Sequence, residues 1–185
     1  IIAGGGIGGL ATALGLARVG KHSLVLEQAD RFGEIGAGIQ IGPNAFNCFD
    51  YLGIGEALRN KAVYIDRLRL MDALSGEEIC HIPLDVSFRN RFGNPYAVVH
   101  RADLHGALVE ACKSSGFVEM LTCHAVSGYH QQGESVRVSI QNREELEGCV
   151  LIGADGLHSA VRKQMHGDEP PRVSGHTTYR SVIPT

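Results

Sequence analysis

The opening residues constrain the fold most, because an apolar strand end runs into a Gly-x-Gly-x-x-Gly turn and then into a helix with one apolar face. The glycines of this turn are Gly4, Gly6 and Gly9. In such a unit the first glycine permits a tight turn, the second lets the backbone approach a pyrophosphate, and the third lets the helix pack closely on the strand. Free N–H groups at the helix N-terminus favour an anion there. The pattern predicts a Rossmann-like dinucleotide-binding unit.

The context of the turn matters, because glycine makes up 24 of 185 residues, about twice its usual share of ~7%. The apolar segment 23–26 is predicted as the next strand, and Glu27 follows it, 23 residues after Gly4. An acid at roughly this interval of 20 residues reaches a ribose hydroxyl. Because a carboxylate binds a free 2′-hydroxyl and repels a 2′-phosphate, we expect FAD or NAD here, and not NADP. The alternative is an ordinary strand-to-helix turn followed by a surface glutamate.

Composition argues against several other classes of protein. A net charge of −3 and the absence of a Lys/Arg-rich run argue against nucleic acid as a partner. No apolar run approaches the ~18 residues that span a membrane, and no secretory leader precedes the glycine turn. Five scattered cysteines are typical of reduced thiols in a cytoplasmic protein. The nine histidines lack metal-ligand spacing, so no metal is expected.

Both ends of the chain resemble cut ends. There is no initiator Met, and residues 178–185 have the pattern of a strand without a partner. We therefore interpret the chain as the N-terminal part of a longer protein.

Downstream of Glu27 the pattern departs from that of a nicotinamide dehydrogenase, since no helix leads directly to a third parallel strand. A glycine-rich loop over 32–43 is instead expected to flank a flat ring system, because glycines let a backbone approach closely. Further along, a hairpin of strands 67–71 and 78–83 around residues 73–76 predicts a second sheet. The remaining predicted elements are helices at 44–52, 101–115 and 159–165, strands at 97–99, 118–121, 125–129, 135–141 and 149–153, and a turn at 131–133.

Three charged residues downstream have two interpretations each. Arg101 begins a predicted helix, where a cation is unfavourable by about 0.3–1 kcal/mol, so either an ion pair with Asp103 or an anionic cofactor is expected beside it. Asp155, before Gly156, follows a buried strand at the edge where ligands of α/β folds bind. Its alternative role is helix capping. Arg162 contacts an anion or is a solvated surface residue.

Taken together, these motifs resemble the FAD-dependent aromatic hydroxylases, the single-component flavoprotein monooxygenases, over essentially the whole chain. Hydroxybenzoate and salicylate hydroxylases, the 3-hydroxybenzoate 6-hydroxylase type among them, are the members that it resembles most. The Asp-Gly motif is the most specific part. The motifs are Gly4-x-Gly6-x-x-Gly9 with Glu27, Gly36-Ala37-Gly38-Ile39-Gln40, His100-Arg101-Ala102-Asp103-Leu104, and Gly153-Ala154-Asp155-Gly156-x-x-Ser159-x-x-Arg162.

The resemblance implies an α/β fold, with a Rossmann-like FAD-binding domain and an inserted β-sheet substrate domain. Residues 1–66 and 97–170 would form the former, and 67–96 and 171–185 the start of the latter. It also implies cofactor-binding roles. Gly4, Gly6 and Gly9 would hold the FAD pyrophosphate, Glu27 and Gln28 the adenosine ribose, Gln40 the flavin ring, Arg101 the ribityl-pyrophosphate region, the backbone of Val126 the adenine, and Asp155 both FAD and NAD(P)H.

The implied activity is hydroxylation of a phenolic aromatic acid with NADH or NADPH and O2, through a flavin C4a-hydroperoxide. The family's later Gly-Asp motif is absent from the chain, and the catalytic residues are expected beyond residue 185. A homodimer is one expectation for assembly. Two alternatives stay open: another FAD oxidoreductase, such as a disulfide reductase or an amine oxidase, and a non-catalytic protein on the same scaffold.

Overall fold

The computed structural model describes residues 1–33, 36–167 and 171–177. It divides into two compact units, one formed by Ile1–Ile35 with His105–Thr185 and the other by Gly36–Leu104. In chain order the elements are β1 (Ile2–Ala3), α1 (Ile7–Arg18), β2 (Ser23–Leu26), β3 (Gly38–Ile41), α2 (Pro43–Leu52), α3 (Gly55–Arg59), β4 (Val63–Tyr64), β5 (Arg67–Met71), β6 (Glu78–Pro83), α4 (Val86–Phe92), β7 (Ala97–His100), α5 (Arg101–Ser114), β8 (Val118–Leu121), β9 (Val126–Gln132), β10 (Ser135–Ile140), β11 (Leu146–Gly148), β12 (Ile152–Gly153) and α6 (Ala160–His166).

A parallel sheet forms the centre of the first unit. Its strand order is β12-β1-β2-β8, and Ile2 pairs with Val25 on one side and with Ile152 on the other. The strands at its centre are apolar on both faces, as is typical of parallel sheets that are covered on both sides. Helix α1 connects β1 to β2 and buries Leu10, Ala13 and Leu14. The carboxyl ends of the parallel strands therefore lie together at one edge.

An antiparallel sheet of order β11-β10-β9 packs on one face of the parallel sheet. Strand β10 alternates, so that Val136, Val138 and Ile140 are buried and pack against Leu26. Because successive strand residues point to opposite faces, Leu26 contacts this second sheet while Val25 points away from it. This packing fixes the end of β2, from which Glu27 projects.

The second unit has its own core. An antiparallel sheet of order β3-β7-β4 and the hairpin of β5 and β6 are accompanied by α2, α3 and α4. Phe46 of α2 is fully buried, and the guanidinium of Arg59 lies 5.1 Å from the centre of its ring. Arg59 also binds Asp50 through two hydrogen bonds of 2.5 and 2.7 Å, which hold the pKa of the Asp50 carboxyl below its usual value. This pair ties α3 to α2.

The predicted hairpin is confirmed, since β5 and β6 pair antiparallel, and α5 matches the predicted helix 101–115 to within one residue at its end. One loop prediction and one strand prediction were wrong in extent. The interpretation of 32–43 as a loop throughout fails at 38–41, because β3 pairs with β7, some 60 residues further on, a partner that local sequence does not reveal. Of the strand expected over 149–153, only β12 forms, whereas β11 just before it pairs with β10 in the other sheet.

Smaller differences concern short elements. The turn expected at 131–133 begins later, because β9 continues to Gln132. Strand β4 and helices α3 and α4, none longer than seven residues, were not predicted.

The strand expected over 178–185 lies outside the described residues. The assignment of 1–66 and 97–170 to one domain, with 67–96 and 171–185 in another, stays a prediction. Among the described residues, no helix is long and apolar enough to cross a membrane.

Candidate dinucleotide site

The glycine turn is closed tightly on its neighbours. Gly4 has a φ of +105°, a conformation that L side chains rarely adopt, and its N–H donates to the Leu26 carbonyl over 2.8 Å. A Cβ atom on Gly4 would overlap the carbonyl oxygen of Ala154, and one on Gly9 would overlap the carbonyl oxygen of Gly4. Glycine is therefore required at both positions for strand, turn and helix to pack together.

The carboxylate of Glu27 is fixed at the end of β2. Its Oε2 accepts a hydrogen bond of 2.8 Å from the Gly5 N–H, and its Oε1 accepts one of 2.9 Å from the Ala29 N–H. Its own N–H donates to the Leu121 carbonyl of β8 over 2.8 Å. Since each carboxylate oxygen has two acceptor positions, both oxygens can still accept a hydrogen bond from a ligand hydroxyl. Two backbone donors thus hold the carboxylate in one orientation, and its contact with a ribose stays a prediction.

A pocket of about 220 Å³ opens at the carboxyl edge of the parallel sheet. Six residues that were predicted to bind cofactor line it: Gly4, Gly6, Glu27, Gln28, Val126 and Asp155. Ligands of open α/β sheets bind at this edge. The pocket is smaller than the roughly 300–1,000 Å³ of pockets that enclose a whole drug-sized ligand. Its size suits one part of a dinucleotide, and the tight glycine turn and fixed acid beside it fit the ADP part of FAD.

The other three predicted residues do not line this pocket. Gly9 lies against the Gly4 carbonyl, as described above. Gln40 and Arg101 belong to the second unit, where the Tyr96 hydroxyl donates to Gln40 Oε1 over 2.5 Å and the Arg101 N–H donates to the Ala37 carbonyl over 3.2 Å. Their contacts with cofactor stay predictions.

The ion pair considered for Asp103 involves a different cation. The carboxylate of Asp103 binds Lys61 Nζ at 2.7 Å within the second unit. Arg101 begins α5, as expected from the sequence.

The turn that contains Asp155 is braced by its own side chains. Asp155 Oδ1 accepts from the Ser159 hydroxyl over 2.5 Å, and Oδ2 accepts from the Val161 N–H over 3.2 Å. The guanidinium of Arg162 donates to the carbonyls of Gly156 and Leu157 over 3.2 and 2.5 Å. Asp155 therefore stabilises the start of α6 while it also lines the pocket, so the two interpretations are compatible. Arg162 holds the turn itself.

Sequence reasoning missed three histidines at this site. Two of them, His124 and His158, line the pocket beside Ala154 and Gly156, which belong to the predicted Asp-Gly motif. Behind the glycine turn, His105 is only 3% exposed, and its Nε2 lies 2.8 Å from the Gly5 carbonyl oxygen. The available signal was a histidine on the apolar face of a predicted helix, a pattern that does not identify the partner.

Within the described parts of the chain, no cluster of three or more His, Cys, Asp or Glu side chains could hold a metal ion. All five cysteines are free thiols. Burial raises the pKa of the Cys112 thiol to about 11. The chemistry of the described pocket is thus that of backbone amides, carboxylates and imidazoles.

A strand–glycine turn–helix unit, a fixed acid after the second strand and a pocket at the carboxyl edge together define a dinucleotide-binding domain of the Rossmann type. The sequence profile of the FAD binding domain family matches residues 1–179, and the chain belongs to this family.

Two relatives are similar to this chain over nearly its whole length. The chain is 55% identical to 3-hydroxybenzoate 6-hydroxylase 1 of Aquipseudomonas alcaligenes, over 100% of the chain and 47% of that protein. It is 52% identical to 3-hydroxybenzoate 6-hydroxylase of Polaromonas naphthalenivorans (strain CJ2), over 99% of the chain and 46% of that protein. The chain thus spans about half the length of these relatives.

A solved structure is similar as well. The structure of Klebsiella pneumoniae HpxO complexed with FAD and uric acid superposes with a TM-score of 0.76 at 29% identity, over 88% of this chain and 40% of that one. These comparisons confirm the predicted α/β fold class and the resemblance to flavin-dependent aromatic hydroxylases.

Proposed function

We propose that the full-length protein is an FAD-dependent monooxygenase that hydroxylates a phenolic aromatic acid with NADH or NADPH and O2. The observation that carries this proposal is the 55% identity to a 3-hydroxybenzoate 6-hydroxylase over the whole chain. We take 3-hydroxybenzoate as the first substrate to test. Hydroxylation at its position 6, which is para to the existing hydroxyl, yields 2,5-dihydroxybenzoate.

Within this chain the proposed work is cofactor binding. The glycine turn and Gly6 would face the pyrophosphate, where N–H groups at a helix start favour negative charge. The fixed carboxylate of Glu27 would accept hydrogen bonds from the adenosine ribose, with Gln28 beside it. The backbone of Val126 would contact the adenine, and Asp155 would hold the turn before α6.

The remaining proposed contacts lie in the second unit. Gln40 would approach the flavin ring, and Arg101 the ribityl-pyrophosphate region. When bound, FAD supplies the redox chemistry, in which NAD(P)H is the reductant and O2 the source of the hydroxyl oxygen. The protein's share is to bind and orient the cofactor and to exclude water from the ring. No residue of the chain is assigned a catalytic role.

The test uses purified full-length protein. We expect flavin absorbance, together with NADH or NADPH oxidation that accelerates when 3-hydroxybenzoate is added and yields 2,5-dihydroxybenzoate by mass spectrometry. Benzoate, which has no hydroxyl to donate electrons to the ring, serves as the control. A flavin-containing protein that no hydroxybenzoate or salicylate stimulates would indicate another FAD oxidoreductase, and a protein without flavin would indicate a non-catalytic scaffold.

We further propose that the protein forms a homodimer and lies in the cytoplasm. Gel filtration tests the homodimer, and fractionation of cells tests the cytoplasmic location.

A further inference from the structure

A buried histidine binds the peptide group between Gly5 and Gly6 through its carbonyl oxygen. His105 lies in α5, far along the chain from Gly5, and its Nε2 is 2.8 Å from the Gly5 carbonyl oxygen. On the other side of the same residue, the Gly5 N–H donates to Glu27 Oε2 over 2.8 Å. Gly5 is therefore held at both its N–H and its carbonyl.

The chemistry of the contact fixes where the proton lies. A carbonyl oxygen only accepts hydrogen bonds, so Nε2 of His105 must carry a hydrogen and donate it. With an exposure of 3%, the imidazole is shielded from competing water. The hydrogen bond therefore restrains the Gly5 carbonyl in one direction.

That direction determines where the next amide points. None of the peptide bonds in the described parts of the chain is cis, and in a trans peptide the C=O and N–H groups point in opposite directions. When His105 holds the Gly5 carbonyl toward α5, the Gly6 N–H points away from α5, and Gly6 lines the pocket. Glycine peptides are otherwise free to rotate, so a restraint from outside the turn is needed to keep this amide in place.

We propose that His105 is a positioning residue for cofactor binding, which orients the Gly5–Gly6 peptide so that the Gly6 N–H is presented to the pyrophosphate of a dinucleotide. The inference rests on the proposed function, because it takes the glycine turn as the pyrophosphate site. It adds a residue outside the glycine motif on which the affinity of that motif depends.

The experiment compares H105N, H105Q and H105L in the full-length protein. A glutamine amide reaches about as far as Nε2 and can donate to the Gly5 carbonyl, whereas an asparagine amide is one methylene shorter and leucine has no donor. V109A is the matched control, because Val109 is buried at 7% exposure one helical turn further along α5. The readouts are the FAD Kd, from quenching of flavin fluorescence, and the Tm of the apoprotein.

We expect H105L and H105N to raise the FAD Kd about tenfold, or ~1.4 kcal/mol, and H105Q to restore it to within about threefold of the wild type. V109A should lower the Tm without changing the Kd. If H105L does not fold, the comparison of H105N with H105Q carries the test. Should the wild type bind FAD while H105N and H105L bind it equally well, the inference is overturned and the proposed function stands. A wild type that binds no FAD overturns both.

Discussion

At the scale of single residues, Gly9 decides whether α1 can lie against the turn, because a Cβ there would overlap the Gly4 carbonyl oxygen. We expect Gly9→Ala to destabilise the protein by about 1–3 kcal/mol, the usual cost of an overpacked site. It should also weaken FAD binding, because the Gly4 carbonyl belongs to the turn that lines the pocket. Chemical denaturation and a flavin titration measure the two effects.

The matched control for Gly9 is in the same helix. A Cβ on Gly15 meets no atom within 4 Å beyond its chain neighbours and the backbone of its own helix, so Gly15→Ala should stabilise α1 by up to about 1 kcal/mol through helix propensity. Its FAD affinity should equal that of the wild type. Equal effects of the two substitutions on stability would contradict the close contact at Gly9.

A second prediction at this scale concerns thiol reactivity. The pKa of Cys112 is raised to about 11 by burial, so at pH 8 only about one thiol in a thousand is ionised, and the thiolate is the reactive form. Iodoacetamide should therefore modify the exposed cysteines long before Cys112, as mass spectrometry of the digested protein would detect. The exposed cysteines are Cys48, Cys80, Cys123 and Cys149. Labelling in denaturant, where all five should react alike, is the control, and rapid native labelling of Cys112 would contradict its burial.

At the scale of elements, two properties decide whether the sequence predicts a helix or strand: its length, and the distance along the chain to the strand with which it pairs. Helix α5 spans 14 residues and hairpin β5–β6 pairs locally, so periodicity and turn signals identify both. Strand β3 has only four residues, and its partner β7 lies far along the chain. In such a strand the pairing, rather than local preference, determines the structure.

The start of α6 gives the prediction for this scale. Ser159 is its N-cap: the Oγ accepts from the Arg162 N–H over 2.9 Å and donates to Asp155 Oδ1. Loss of a serine cap costs about 0.5–2 kcal/mol, so Ser159→Ala should lower the Tm of the apoprotein. Asp155→Asn should lower it too, because the amide that replaces one carboxylate oxygen no longer accepts a hydrogen bond there.

The two substitutions also separate the roles of Asp155. If Asp155 contacts the cofactor as well as the helix, Asp155→Asn should raise the FAD Kd more than Ser159→Ala does at a similar loss of stability. Equal Kd values for the two variants would assign Asp155 to helix capping alone.

At the scale of the whole molecule, the candidate site joins residues that are far apart in sequence. Gly4 and Glu27 come from one local unit, and their spacing predicted them together. Val126 and Asp155 reach the same pocket only because β12 pairs with β1 and β9 packs on the parallel sheet. The place of Val126 was implied by the family resemblance alone. For Asp155 the strand before it predicted a position at the ligand edge, but not the pocket that it shares with Glu27. His105 was indicated neither by spacing nor by the resemblance, because its hydrogen bond to Gly5 depends on how α5 packs against the turn.

Because the described pocket is built around the turn, Glu27 and Val126, ligands should stabilise the protein through their ADP part. A ligand that binds only the folded state at 100 times its Kd adds about 2.7 kcal/mol to stability, so FAD should raise the Tm of the full-length apoprotein by several degrees. ADP at the same concentration should give a smaller shift in the same direction, since it carries the ribose and pyrophosphate but no flavin. Riboflavin, which lacks both phosphates and the adenosine, should give little shift. Differential scanning fluorimetry with the three ligands makes the comparison, and a riboflavin shift equal to that of FAD, with none from ADP, would contradict the assignment of this pocket to the ADP half.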